Sequence, residues 1–241
     1  MGMRVNTTLV INPKGGSGKT TVAVNLASYF AANGVPTAVM DYDPQGSTMN
    51  WLRVRPQHAR KIYGANAAPQ KTGLRSIGMH VPADTRQLII DAPAGSAGLL
   101  LHEMLERAHC VLVPVVPSII DIRATENFIR ELLSSPRVRC GEARVGIVAN
   151  KVRPSMPAYG PLLRFLEQQE LKLLTRLLDS DMYLRAAESG IGIFEMDAGQ
   201  TLVERRQFTP IVDWVRGEHA VHAARTDGAG TEVQLVRRVA F

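Results

Sequence analysis

Cysteine is scarce in this chain, which has two among its 241 residues: Cys110 lies within an apolar run, and Cys140 lies in a basic stretch. Two isolated cysteines cannot build a disulfide framework, and the sequence has no CxxC pair to ligate zinc or an iron–sulfur cluster. These absences exclude a small disulfide-rich protein and a cysteine-ligated metal centre. We expect both residues to be free thiols.

Long hydrophobic runs are also missing. The sequence begins without the apolar segment of a signal peptide, and its longest apolar stretch, CVLVPVVPSII, is interrupted by Pro114 and Pro117. That stretch is too short to cross a bilayer, which takes about 20 apolar residues. We therefore expect a cytoplasmic protein.

Acidic residues are outnumbered and unevenly placed. The chain has 22 of them against 28 lysines and arginines, which gives a formal net charge of +6. Residues 53–86 have seven basic residues and one acidic residue, and residues 134–185 have nine and five, whereas residues 87–133 have three and six. This segregation is compatible with a solvated surface and with a nucleic-acid-binding face, so charge alone does not decide the function.

The sequence does contain a regular alternation of two patterns. Short runs rich in valine, isoleucine and leucine, typical of strands buried on both faces, alternate with stretches of helical periodicity. The predicted strands are 7–11, 37–41, 87–91, 110–115, 144–150 and 171–175, and the predicted helices are 19–32, 97–108, 121–133, 157–169, around 183–188 and about 199–216. The alternation predicts a single-domain α/β fold, with a doubly wound, mostly parallel sheet flanked by helices.

Two segments fall outside this alternation. Residues 53–82, which contain several glycines and prolines between two predicted strands, predict an elaborated surface crossover. We place the domain at residues 1–217 and a flexible C-terminal tail at residues 218–241, where RTDGAGT is typical of a linker.

The segment NPKGGSGKTT follows the first predicted strand and precedes the first predicted helix. That context is typical of a phosphate-binding loop, whose backbone N–H groups surround phosphates at a helix N-terminus. Lys19 would neutralise the β- and γ-phosphate oxygens, and the Thr20 hydroxyl would ligate Mg²⁺. The predicted nucleotide-contacting residues of this loop are Gly15, Gly16, Ser17, Gly18, Lys19, Thr20 and Thr21.

Three carboxylates follow predicted strands and are candidates for the same site. Asp41 and Asp43 stand at the end of one strand in AVMDYDPQGS, and Asp91 stands at the end of another in LIIDAPAG. In open α/β sheets, ligands bind at the carboxyl ends of the strands. We predict that Asp41 and Asp91 serve the metal with Thr20, and that Asp43 orients the attacking water.

One position departs from the ordinary phosphate loop: Pro13 replaces its first glycine, and a second lysine, Lys14, follows. Lys14 with GGSGKTT resembles the deviant Walker A motif of the ParA/MinD superfamily. Four further segments match, in order and spacing, the small partition ATPases of the ParF type: DYDPQGSTMNW, LIIDAPAG, VPVVPSIIDIRA and AAESGIGIFE. The resemblance covers about residues 5–216.

The resemblance implies an ATP-dependent homodimer in which Lys14 reaches across the interface to the partner's ATP. Slow, Mg²⁺-dependent hydrolysis would then be coupled to dimerisation. The implied catalytic residues are Lys14, Lys19 and Asp43. Asn150, Lys151 and Pro117 would lie near the adenine, and Asp121 matches an aspartate of the family pattern that a helix cap explains equally well.

The resemblance also implies a switch for DNA partition or cargo positioning. The ATP-bound dimer would bind non-specific DNA on the nucleoid, since a dimer doubles every phosphate contact. A ParB/ParG-like adaptor or centromere-binding protein would stimulate hydrolysis, and plasmids, chromosomal loci and protein assemblies all stay open as cargo. Because the first predicted strand follows Val5 almost immediately, we expect no N-terminal helix-turn-helix domain. The implied DNA-contacting residues are Lys172, Arg185, Arg205 and Arg206.

Two other functions stay open. Residues 233–241, VQLVRRVAF, would suit a MinD-like membrane switch if they formed an amphipathic helix, although we expect a disordered tail at this length. A ligase such as dethiobiotin synthetase, or a P-loop metabolite kinase, would share the loop but would need an acceptor pocket and no Lys14. Two departures from the family pattern are Ala94, which replaces a proline, and residues 53–82, which leave partner specificity open.

Overall fold

The computed structural model describes residues 5–69, 79–153, 159–168 and 171–217, with the backbone alone at residues 119–124 and 159. The predicted tail and the Asp121 side chain lie outside the described residues. No helix in the described part of the chain is long and apolar enough to cross a membrane.

Seven parallel strands form one sheet in the described part of the chain. They are β1 Asn6–Val10, β2 Thr37–Asp41, β3 Tyr63–Asn66, β4 Gln87–Asp91, β5 Cys110–Val115, β6 Arg144–Val152 and β7 Leu173–Leu178. Their spatial order is β3-β2-β4-β1-β5-β6-β7, so the chain winds outward from the centre in both directions. The central strands are buried along their whole length and are mostly apolar, as a parallel sheet covered on both faces requires.

Helices cover both faces of the sheet. They are α1 Lys19–Ala32, α2 Ser47–Arg53, α3 Gly98–Arg107, α4 Ile119–Ser134, α5 Pro136–Arg139, α6 Tyr159–Gln168, α7 Asp181–Glu188 and α8 Leu202–Arg216, with a 3₁₀ turn at Ile193–Glu195. One face carries α3, α4 and α6, and the other carries α1, α2, α7 and α8. The two apolar layers make a single domain, which confirms the predicted doubly wound fold.

The structure corrects the sequence prediction in three places. A short edge strand, β3, lies inside the predicted crossover, and α2 forms directly after the Asp41–Asp43 segment. β3 is hard to recognise because it has four residues, including Gly64, and its side chains are partly exposed apart from Ala65. The last strand also runs further than predicted, to Leu178, with register shifts along β6.

Strand register brings the carboxylates together. Asp91 is the pairing neighbour of Val10 on one side and of Asp41 on the other. Because parallel strands end at the same edge, both aspartates meet the loop that leaves β1. The sheet thus places Asp41, Asp91 and the glycine-rich loop at one point.

Candidate functional site

Backbone conformation opens the glycine-rich loop. Gly16 and Gly18 have φ of 76° and 88°, in the left-handed region that favours glycine. A Cβ on Gly18 would also collide with the side-chain amide of Asn150. Helix α1 begins at the next residue without a side-chain cap, so its first N–H groups point toward the loop as an anion site.

Two buried asparagines hold this loop in place. Asn12 accepts a hydrogen bond from the Lys14 N–H at 2.8 Å and donates its amide to the Pro114 carbonyl at 2.8 Å. Asn150 donates its amide to the Ser17 carbonyl at 2.9 Å. The loop is therefore rigid before any ligand arrives, which lowers the entropic cost of phosphate binding.

The two lysines of the loop have different surroundings. Lys19 is 7% exposed, and its ammonium donates to the Lys14 carbonyl at 3.0 Å. Burial lowers the pKa of Lys19, while the nearby carboxylates of Asp91 and Asp43 oppose that change. Lys14 is exposed at the mouth of the loop. One lysine thus lies beneath the phosphate position, and the other faces outward.

Asp91 is the most perturbed carboxyl group of the site. Its Oδ2 accepts hydrogen bonds from the hydroxyls of Thr20 at 2.8 Å and Thr48 at 2.7 Å. Burial raises the pKa of Asp91 to about 7, against the lowering effect of the two hydroxyls. Within the described residues, its buried Oδ1 has no hydrogen-bond partner. A buried carboxylate oxygen beside a threonine hydroxyl fits Mg²⁺, a cation that prefers oxygen ligands.

The other two predicted carboxylates shape the loop after β2. Asp41 is fully buried and accepts from the N–H groups of Asp43 at 3.0 Å and Met49 at 3.1 Å. Asp43 is half-buried and accepts from the Gln45 N–H at 2.9 Å. Both oxygens of Asp41 thus fix the loop and the start of α2, while Asp43 lies near enough to Lys19 to affect its charge.

A cavity of about 250 Å³ continues from the loop past Thr21. Asn150 and Lys151 line it, and Lys151 has a left-handed backbone, with φ of 52°, at a bulge in β6. Pro117 is buried beyond β5 and is not among the described residues that line this cavity. The remaining lining residues are Leu178, Asp179, Ser180, Tyr183, Leu184 and Ala187.

Tyr183 lines this cavity with a largely buried side chain. Its side chain is 8% exposed, and its hydroxyl has no hydrogen-bond partner within the described residues. Burial, with a smaller effect of the Glu204 carboxylate, raises the pKa of Tyr183, so the hydroxyl stays protonated and can donate.

The four predicted DNA-contacting residues separate into two groups. Lys172, Arg185 and Arg206 are exposed. Arg205 is half-buried, and its guanidinium donates to the carbonyls of Ile193, Phe194 and Met196 at 2.7–3.2 Å. These bonds hold the 3₁₀ turn against α8, and a phosphate would have to displace them, so the role of Arg205 in DNA binding stays a prediction.

Comparison with known proteins identifies the family. The model of the CobQ/CobB/MinD/ParA nucleotide-binding domain matches residues 8–193. The chain belongs to this family. Its members include the MinD and ParA proteins, which confirms the ParA/MinD resemblance, while the ParF subtype stays a prediction.

Individual relatives agree with this assignment. The maintenance of carboxysome distribution protein A of Halothiobacillus neapolitanus is 23% identical over 193 residues, which cover 80% of this chain and 88% of that protein. Protein ParA of Rhizobium radiobacter is 29% identical over 113 residues, 47% of this chain and 50% of that protein. The Mg-ADP complex of MinD from Pyrococcus horikoshii superposes with a TM-score of 0.64 at 16% identity, over 95% of this chain and all of that one.

The structure also adds residues that the sequence did not single out. Asn12 and Thr48 are fixed parts of the site, and Tyr183 lines the cavity beside Asn150. Thr48 lies seven residues after Asp41, and its hydrogen bond to Asp91 depends on the packing of α2 against the sheet, which the sequence pattern does not indicate. Tyr183 follows the end of β7, where a ligand-binding position could have been predicted had that strand been extended to Leu178.

Proposed function

We propose that this chain is an ATP-driven dimerising switch for DNA partition or intracellular cargo positioning. In the ATP-bound dimer it binds non-specific DNA, and slow Mg²⁺-dependent hydrolysis, stimulated by a partner protein, releases it. The observation that carries the proposal is the pair of lysines on one loop, Lys19 buried under the phosphate position and Lys14 exposed at its mouth.

The buried lysine accounts for nucleotide binding within one chain. Phosphates would accept the N–H groups of residues 15–21, and the Lys19 ammonium would exchange its bond to the Lys14 carbonyl for a phosphate oxygen. The exposed lysine is not needed for that cradle. We infer that the Lys14 ammonium acts on the triphosphate of a second copy, where it stabilises charge that develops during phosphoryl transfer.

The carboxylates complete the chemistry. The Thr20 hydroxyl would ligate Mg²⁺ directly, and Asp91 would hold it through a water molecule. Asp41 would fix the neighbouring loop. Mg²⁺, when bound, would neutralise charge on the β- and γ-phosphates. Asp43, close to Lys19, would orient the attacking water. Thr48 of helix α2 also donates a hydrogen bond to Asp91. Metal binding at Asp91 would therefore be sensed by α2 through this bond.

The cavity beyond Thr21 is the proposed base pocket. Asn150 holds the loop with its amide nitrogen, which leaves its carbonyl oxygen to accept from the exocyclic amine of adenine. Lys151, Ser180 and Tyr183 would line the base and ribose. Pro117 would act at most through the packing behind β5.

DNA binding and partner stimulation extend the proposal to the exterior. Lys172, Arg185 and Arg206 supply exposed cations, and a dimer would present each of them twice. We expect the double variant Arg185→Glu, Arg206→Glu to lose DNA retention while it still dimerises with ATP. A ParB/ParG-like adaptor remains the proposed partner, and the expected location is the cytoplasm, on the nucleoid.

Size-exclusion chromatography with light scattering tests the switch. Wild type should be monomeric with ADP and dimeric with a non-hydrolysable ATP analogue, and Lys14→Ala should fail to dimerise or dimerise without turnover. If the wild-type protein stays monomeric with the analogue, the proposal is refuted. A small-molecule ligase, the alternative favoured by the CobQ/CobB members of the family, would instead turn over ATP quickly with its own substrate and tolerate Lys14→Ala.

A further inference from the structure

The crossover after α2 carries unusually uniform charge. Between Asp43 and Asp84 the sequence has no acidic residue. Arg55 has a carboxylate partner, Glu195. Three other cations of this stretch are exposed and have no ion pair within the described residues: Arg53, Arg60 and Lys61.

Arg55 fixes where these cations lie. Its side chain is 6% exposed and stacks over the Trp51 ring at 5.2 Å. Its guanidinium donates to the Arg60 carbonyl at 3.0 and 2.8 Å, to the Gly190 carbonyl at 3.0 Å, and to both carboxylate oxygens of Glu195. One buried side chain thus closes the turn that carries Arg60 and Lys61 and binds it to residues 190–195.

Backbone contact at Gly190 confirms how close the two segments are. A Cβ at Gly190 would lie 2.5–2.6 Å from backbone atoms of Val54 and Arg55, and its φ of 64° also favours glycine. Val54 lines a cavity of about 400 Å³ together with Ala187 of α7. Helix α7, which ends shortly before this contact, also carries the exposed Arg185.

We propose that Arg53, Arg60 and Lys61 form a second half of the DNA-binding surface, held by the Arg55–Gly190 contact close to the end of the helix that carries Arg185. The inference rests on the proposed DNA-binding function and extends it to the crossover. Double-stranded DNA fits this surface because its phosphates repeat along both strands, and a rigid array of cations from two segments can contact several at once. Exposed cations that are held in place lose less conformational freedom on binding than cations on a mobile loop.

The experiment compares two charge-reversal variants of the full chain with wild type. The test variant is Arg60→Glu, Lys61→Glu. The control is Arg107→Glu, Arg139→Glu, which makes the same charge change at two exposed residues. Both control residues shortly precede β5 and β6, which lie four and five strands away from β3, the strand that follows Arg60 and Lys61. Binding to a fluorescent non-specific duplex is measured by anisotropy with a non-hydrolysable ATP analogue, between about 50 and 200 mM salt.

The test variant should bind DNA at least roughly tenfold more weakly than wild type. The slope of log affinity against log salt should also become shallower, by about 0.9 for each DNA phosphate that the variant no longer neutralises. Nucleotide binding and analogue-driven dimerisation should be unchanged, and the control should bind like wild type. An unchanged slope in the test variant would refute the inference while leaving the switch intact. Equal weakening in both variants would also refute it, because net charge would then explain the effect.

Two further outcomes separate this inference from its foundation. If wild type dimerises with the analogue but does not bind DNA, the DNA-binding part of the proposed function fails and the inference fails with it. If the crossover cations instead govern sedimentation with anionic phosphatidylserine vesicles and not DNA binding, the surface serves a membrane and the inference is wrong.

Discussion

Replacing the buried Asp91 by asparagine should stabilise the nucleotide-free protein in a pH-dependent way. The pKa of this carboxyl is about 7 in the folded chain against an ordinary value of 3.8, because burial disfavours its charged form. The folded state therefore binds the proton more tightly than the unfolded state does. Below pH 4 both states are protonated and the group has no effect on stability.

The sign and size of the effect follow from this difference. As pH rises from about 4 to 7, the unfolded chain loses the proton freely and the folded chain resists losing it, so the free energy of unfolding falls by about 1.4 kcal/mol for each pH unit. The full loss by pH 8 is about 4 kcal/mol, as an upper limit. Asp91→Asn carries no titrating group, so its stability should not fall in this way.

Urea unfolding of both proteins in EDTA, from pH 5 to pH 8, measures the effect. The stability of Asp91→Asn relative to wild type should rise with pH. Thr48→Val, which removes a hydroxyl that favours the charged form, should raise the pKa of folded Asp91 further and extend the loss of stability to higher pH. Mg²⁺ with ATP should stabilise wild type more at pH 8 than at pH 6. The same addition should stabilise Asp91→Asn only slightly at either pH. Parallel stability profiles for wild type and Asp91→Asn would refute the reasoning.

Three further substitutions have clear expectations. Gly18→Ala should abolish nucleotide binding and destabilise the fold by about 1–3 kcal/mol. The control is Gly34→Ala, which is also at positive φ but whose added Cβ would have no neighbour within 4 Å; it should still bind nucleotide in a titration. Arg205→Ala should lower the free energy of unfolding in urea by about 2 kcal/mol or more, while the exposed Arg206→Ala should change it by less than about 0.5 kcal/mol; equal effects would contradict the structural role of Arg205. Tyr183→Phe should weaken ATP binding roughly tenfold without loss of stability, and an unchanged affinity in calorimetry would remove Tyr183 from the base pocket.

The sequence predicted the sheet and the phosphate loop well because both depend on local pattern. Buried apolar runs indicated the strands, and the glycines with Lys19 and Thr20 specified the helix N-terminus. The contacts of Arg205 and Arg55 could not be predicted, since each joins segments whose proximity depends on the packing of α8 and of the crossover. The neighbouring sequence of an arginine in a basic stretch does not indicate whether its guanidinium will donate to backbone carbonyls or to solvent.

Helix α8 ends at Arg216, far from the proposed nucleotide site. Asn6 at the start of β1 donates to the Val215 carbonyl at 3.2 Å, so the last turn of α8 lies at the amino-end edge of the sheet, opposite the strand ends that hold Asp41 and Asp91. A fluorophore or affinity handle attached at the exposed position of Arg216 would therefore lie on the side away from the proposed ATP site. Such a label could follow the molecule in a cell while its active face stays unobstructed.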